Sequence, residues 1–432
     1  MAKHSIEDVI PGMVAGRDII GQDGALLVPR GTMLSEEHLR RMRAYGVRVA
    51  DVAADGGDDT TPETDAAADR LAVAQRRCRH LLTPRFQTLD LESPFGRAVF
   101  DLAVSRAATR AVAQGLDLDA VADGPALAGL PPEQQLFAEG AVDPASLVSG
   151  DVELATLPEV YVRLLAVLED GEKTSDADLA GIVGRDPSLT AKLLKLVNSP
   201  LFGSRTPVDS IGRAVAMAGQ KELTTLVTGL AALSAFSDIA PGLYDMRMFW
   251  RHAAACAVYA SLLAQTVPGV AADRVFVGGL LHDLGQLVIL RKLPAAAGRA
   301  LLLSRVEGLP ASEAEIAVLG FDHAAVGRAL MTNWNFPPAL TAMVADHHAP
   351  DGQPQSRETA IVHIADILAQ AWVWPAFPGP PTPGASEAAW RSLGLAETVL
   401  AEVAAAGDAR IAEIESLFFG ASPQPTQRRS RS

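Results

Sequence analysis

Apolar residues recur at helical spacing from about residue 67 onward, and at strand-like spacing only near the N-terminus. Arg17-Asp18-Ile19-Ile20 and Ala25-Leu26-Leu27-Val28 flank Gly21-Gln22-Asp23-Gly24, the pattern of a β-hairpin. Pro29-Arg30-Gly31 makes a second turn, and Ser35 ahead of Glu36 and Glu37 caps a helix that stops at Gly46. Val47 to Val52 then reads as a short strand, so residues 1–52 form a small α/β module without a catalytic constellation. Residues 53–146 begin as an acidic, turn-rich linker over 53–66 and continue as connecting helices from about Ala67 to Gly115. Leu71, Val73, Cys78, Leu81, Leu82, Val99, Leu102 and Val104 mark their apolar positions.

A longer helical region opens near Leu147. Ser175-Asp176-Ala177-Asp178 starts one helix, with Leu179, Ile182 and Val183 on one face. Asp186-Pro187 starts the next, with an Asp N-cap and Pro at the first helical position. Its stripe of Leu189, Leu193, Leu196 and Val197 is core, and Asn198-Ser199-Pro200 ends it. Ile211 to Phe236 is helical, as is Phe249 to Thr266, and helices continue to about Phe419 around a Pro/Gly-rich loop at Pro375 to Gly384. The chain is therefore mainly α.

Composition narrows the possibilities. At 432 residues two or three domains are expected, and 49% hydrophobic residues supply a sizeable core. A net charge of −14 argues against nucleic-acid partners and against an anionic membrane surface. Arg428-Arg429-Ser430-Arg431 lies in a polar tail, 421–432, expected to be disordered. Cys78 and Cys256 are far apart and read as buried thiols of a reducing compartment; with neither a signal peptide nor an apolar run of membrane length, the expected location is cytoplasmic.

The chemistry lies in a histidine series. Six of nine histidines fall between His252 and His363, and one sits in Gly278-Gly279-Leu280-Leu281-His282-Asp283-Leu284-Gly285-Gln286, where an imidazole and a carboxylate interrupt an apolar run. Buried polar groups need partners, and these two types are good ligands for a divalent metal. The bland alternative is a polar pair joining helices at a helix end. His252, His282-Asp283, His323, His347-His348 and Asp366 are too unevenly spaced for a local site, and fit ligands delivered to a bundle core by several helices. Asp283 could bridge two metals there, and a metal so held activates water for attack on a phosphodiester. His363, three residues before Asp366, shares its helical face and reads either as a contact supporting the ligands or as an ordinary polar contact. Trp250 and Trp334 read as core or groove anchors.

His252…His282-Asp283…Asp366 resembles the H…HD…D pattern of the HD phosphohydrolase superfamily. Further motifs resemble the HDOD (HD-related output domain) family within it: Leu157-Pro158, Asp186-Pro187-Ser188-Leu189, Leu196-Val197-Asn198-Ser199, Trp250-Arg251-His252 and Gly279 to Gly285. His323-Ala324-Ala325-Val326-Gly327, Trp334-Asn335-Phe336-Pro337 and His347-His348 complete the set, over roughly 147–350. Residues 1–52 resemble the short modules ahead of some HD-type signalling domains.

The resemblance implies an HD-like helical bundle preceded by a helical subdomain, with the HDOD domain at 147–350 and C-terminal helices at 351–420 packing on it. It implies a metal quartet of His252, His282, Asp283 and Asp366, with His323, His347 and His348 as further candidate ligands, for Mn, Fe, Zn or Mg. It implies a bacterial signalling module, related to HD-GYP cyclic-di-GMP phosphodiesterases, that is non-catalytic and acts on other signalling proteins, with homodimers one arrangement. Gln286 stands where HD-GYP proteins carry lysine, and Ala349-Pro350-Asp351-Gly352-Gln353-Pro354 supplies neither their Glu nor their Gly-Tyr-Pro. The alternatives are a metal-dependent phosphohydrolase acting on a nucleotide or cyclic dinucleotide, and a module that binds a nucleotide second messenger without turnover.

Overall fold

The computed structural model describes parts of residues 2–53, and residues 62–118, 142–149, 163, 175–202, 207–234, 244–351, 356–373 and 380–419. The Gly21–Gly24 turn, most of the 53–66 linker, Leu157-Pro158, Phe236 and the tail after residue 419 lie outside the described residues. The chain divides into two compact units, Met1–Ala72 and Val73–Ser432.

The first unit is the mixed module that its patterning predicts. It comprises β1 (Ala2–Ser5), β2 (Val14–Ala15), β3 (Ile19–Ile20), β4 (Leu26–Val28), α1 (Glu36–Ala44) and β5 (Val49–Ala53). β3 and β4 pair antiparallel, Ile19 opposite Val28, as the hairpin pattern requires. Ser35 Oγ accepts from the His38 backbone N–H and caps α1. β1 and β2 flank β5 in a three-stranded sheet. β1 has no alternating pattern of its own, because Ala2-Lys3-His4-Ser5 is largely polar; the edge of β5 supplies its hydrogen bonds. Val28, Leu34, Met42 and Val52 form the core.

In the second unit the elements are helical. α2 (Pro62–Leu82) starts inside the stretch expected to be linker and crosses the boundary between units. A 3₁₀ turn leads to α3 (Pro94–Gln114), capped by Ser93 Oγ and ended by left-handed Gly115, and α4 (Pro144–Val148) follows. Ser175 and Asp178 close a capping box on α5 (Asp176–Val183), and Asp186 Oδ1 accepts from Leu189 N at the start of α6 (Pro187–Val197). Asn198 explains why α6 ends where it does. Its amide donates to Leu194 O and Val208 O and its Oδ1 accepts from Val208 N, each at 2.7 Å, which latches the following loop. α7 (Ile211–Ala218) and α8 (Gln220–Ser234) complete this subdomain.

The central helix is α9 (Met246–Ala264), buried on every side from Ala253 to Ala260, where small alanines let neighbours approach closely. It packs against α10 (Ala272–Leu281). After α11 (Leu284–Lys292), α12 (Pro294–Glu307), α13 (Ala311–Leu319), α14 (His323–Asn333) and α15 (Pro338–Ala345) comes α16 (Arg357–Val373), which also lies on α9. α17 (Glu387–Leu393) packs on α16, and α18 (Thr398–Phe419) returns to α9. Cys78 and Cys256 are buried free thiols, Trp334 is buried, and Leu189, Leu193, Leu196 and Val197 are core as their stripe predicts. Arg85 is buried too: it donates to Pro380 O (2.6 Å) and, by a shorter contact, to Gln370 O, and burial lowers its pKa to about 10. No described helix is long and apolar enough to cross a membrane.

Two exposed helical glycines, Gly181 in α5 and Gly212 in α7, have open space where a Cβ would go. Gly181→Ala and Gly212→Ala should each raise stability by about 0.5–1 kcal/mol, because alanine loses less backbone entropy in a helix. Chemical denaturation checks this, and a lowered midpoint in either variant contradicts it.

Candidate metal centre

Six helical elements deliver the histidine series to one place. His252 projects from α9, His282 ends α10, Asp283 starts α11, His323 opens α14, His347 and His348 follow α15, and Asp366 lies within α16. The break between His282 and Asp283 brings α11 against α14, and only glycine fits at Gly285: a Cβ there would lie 1.9 Å from His323 O. Asp322 caps α14 through Oδ1 to Ala325 N and holds the His348 Nδ1 side through Oδ2, at 2.7 Å.

All seven predicted residues belong to one continuous cluster. His252 Nε2 lies 3.0 Å from Asp366 Oδ1, 3.5 Å from Asp283 Oδ2 and 3.2 Å from His282 Nε2. Asp283 Oδ1 lies 3.3 Å from His282 Nε2, 3.0 Å from His323 Nε2 and 3.8 Å from His347 Nε2. Three overlapping sets have ligand atoms within 4.8 Å of one another: His252/His282/Asp366, His282/Asp283/His347 and His323/His347/His348. All but His348 are buried.

Tautomers make this a ligand set. His282 Nδ1 donates to Gly279 O at 2.7 Å and His347 Nδ1 to Val344 O at 2.8 Å, so in the neutral rings each Nε2 presents a lone pair inward. Glu315 Oε2 holds His323 in the same way, accepting from its Nδ1 at 2.6 Å and its backbone N at 2.8 Å. His347 Nε2 and His323 Nε2 are buried without a hydrogen-bond partner, although His323 Nε2 is close to Asp283. Two nitrogens facing each other across 3.2 Å, with further inward-facing nitrogens unpaired, fit a bound cation. Of the two readings open for His363, its contacts fit the supporting one: its Nδ1 donates to His347 O and its Nε2 accepts from Ser386 N.

Electrostatics agree. Burial pushes the Asp283 and Asp366 carboxyls up, but the surrounding imidazoles, His282 and His323 for the first and His252 and His282 for the second, hold both well below the usual range. Burial likewise opposes charge on His282 and His323; Asp283 overrides it at His282, and Glu315 with Asp283 overrides it at His323, so both stand well above their ordinary value. His347, pushed well below by burial and by His348, is the neutral member. The two carboxylates thus demand positive charge, which a divalent ion supplies.

Sequence reasoning missed Glu315 and the anchoring role of Asp322. Asp322 had a signal, as an N-cap residue directly before His323. Glu315 had none, since it meets His323 only because Gly320 turns the chain between α13 and α14. Tyr244 was missed as well; burial first, then the charges of Asp283 and Glu315, push its phenol up.

Comparison with known proteins agrees with this picture. Residues 154–350 match the model of the HDOD domain. The chain is similar to an uncharacterized protein of Treponema pallidum (strain Nichols), 25% identical over 226 residues, which is 51% of this chain and 42% of the relative. The match thus spans well under half of that relative's length. Among solved structures it is similar to an HDOD domain protein of unknown function from Geobacter sulfurreducens, 24% identical over 62% of this chain and 94% of the other, with a TM-score of 0.49. A candidate phosphohydrolase from Shewanella amazonensis SB2B gives 24% identity over 61% and 94%, also with a TM-score of 0.49. The motifs of the sequence and the family-model match thus fall on the same stretch, and residues 154–350 resemble the HDOD domain.

Proposed function

We propose that this protein is a regulatory module in which a divalent metal ties the HDOD bundle together and which acts through contacts with other signalling proteins rather than by catalysis. His252, His282, Asp283 and Asp366 would hold the metal, with His323, His347 and His348 extending the set towards a second ion. The observation that carries the non-catalytic reading is Gln286. Many phosphoryl-transfer sites add a side-chain cation beside the metal to grip the phosphate. The buried Gln286 amide is neutral, and it turns to the buried carboxylate of Glu315, 3.5 Å away, which is itself committed to His323.

The second reading is a metal-dependent phosphohydrolase acting on a nucleotide or cyclic dinucleotide. The position of Asp283 favours it: the carboxylate lies within 3.8 Å of His282, His323 and His347, so it would be the residue to hold two metals at once, which would activate water for attack on a phosphodiester. Hydrolysis of bis-p-nitrophenyl phosphate and of a cyclic dinucleotide by Mn-, Fe- and Zn-loaded protein separates the two. The expected result is no rate above that of the His282→Ala/Asp283→Ala variant. A metal-dependent rate that disappears in the variant establishes the second reading instead.

A further inference from the structure

A second concave site lies between α3, α9, α16 and α18 and shares no side chain with the metal centre. It is a cavity of about 220 Å³ lined by Arg106, Arg110, Arg251, Trp372, Asp408 and Ile411. Arg106 and Arg110 are four residues apart on one face of α3, a like-charge pair that is unfavourable in an isolated helix. Arg106 pairs with Asp408, whose side chain is 65% exposed, so water screens much of that compensation. Arg251, on α9, pairs with Glu415 at 3.0 Å, and Arg247 shares that carboxylate at 3.8 Å. Burial, and then Arg106 and Arg251, push the pKa of Arg110 down, and Asp408 offsets part of that.

A buried polar group lies behind the cavity wall. Tyr259 is fully buried, yet its hydroxyl has no hydrogen-bond partner. Its ring stands edge-on to Trp372, a cavity wall, at 5.5 Å, and Gly407 of α18 lies so close that a Cβ there would be 2.5 Å from the ring. Burial raises its phenol, and the charges it senses next are Arg106, Asp408, Arg251 and Arg110, the residues around the cavity. Arg106 Nε and Arg251 Nε are also buried without partners. Three guanidiniums line one cavity in a protein whose net charge of −14 repels anions in general.

We propose that this cavity binds the phosphate group of a small phosphorylated molecule, gripped by Arg106, Arg110 and Arg251. A tetrahedral, doubly charged oxyanion uses several forked donors at once and relieves the repulsion felt by Arg110. The volume exceeds what one phosphate group fills, leaving room for an organic part against the Trp372 ring.

Calorimetric titration of the full chain with inorganic phosphate and with AMP tests this. Saturable binding of either probe is expected, at least tenfold weaker in Arg110→Ala. The arms separate the sources: phosphate alone binding marks a free oxyanion, and tighter AMP marks a phosphorylated organic molecule. Arg110→Lys guards against misfolding, because it keeps the positive charge and loses only the fork of donors, so it should leave the ligand-free melting temperature unchanged while weakening binding severalfold. No binding by wild type, or wild-type affinity in both variants, overturns the proposal.

Discussion

Purified protein is expected to contain Mn, Fe or Zn at one to two atoms per chain, and the His282→Ala/Asp283→Ala double variant to contain none. The donor set leads to this. Nitrogen ligands outnumber carboxylates among His252, His282, His323, His347, Asp283 and Asp366, which suits these ions better than Mg. His282 and His347 are pre-oriented by backbone carbonyls, so little ordering remains to be done on binding. Binding only to the folded state at a thousandfold excess over Kd stabilises it by about 4 kcal/mol. Chelation of the wild type should therefore lower the melting temperature by on the order of 5 °C in a unit of this size. The double variant should show no such response. A metal-free wild type whose melting ignores chelator and added metal would sink the expectation. The protonated forms of His282 and His323 would then be what neutralises Asp283 and Asp366.

Gly285→Ala should be the most damaging single methyl addition near the centre. The added Cβ would stand 1.9 Å from His323 O and 2.6 Å from Gly327 N. Both are backbone atoms of α14, so no side-chain rotation relieves the overlap and α11 must part from α14. Overpacking typically costs about 1–3 kcal/mol, and a backbone clash this close should reach or exceed the top of that range, ~3 kcal/mol. Because α14 opens with His323, the displacement also pulls that imidazole from Asp283. The expected outcome is insoluble protein, or a large fall in denaturation midpoint together with reduced metal content. Gly278→Ala is the informative contrast. Its nearest obstacle is Met343 Sδ at 2.6 Å, the adaptable end of a flexible side chain, so its cost should be clearly smaller. Equal midpoints for Gly285→Ala and wild type would show that the two helices are not in the contact described.

What the sequence determined by itself was local chemistry. Ser175 with Asp178, Asp186 with Pro187 and the Ile19–Val28 hairpin are legible because each depends on residues a few positions apart. The His282-Asp283 pair was legible because a polar pair inside an apolar run requires an explanation wherever it is placed. The resemblance to the HDOD family then supplied a bundle around it. Tertiary structure decided which polar groups meet. His323, His347 and His348 join the cluster because α14 and α15 pack on α11 and α10. Glu315 reaches His323 through a turn, Gln286 spends its amide on Glu315, and β1 exists only as the partner of β5. The cavity around Arg106, Arg251 and Trp372 draws on helices more than 140 residues apart in sequence, and no periodicity along α3 or α9 announces it. Hydrophobic period and capping are short-range properties of the chain. Charge pairing and metal geometry are long-range properties of its packing, and they come into being only when the helices close.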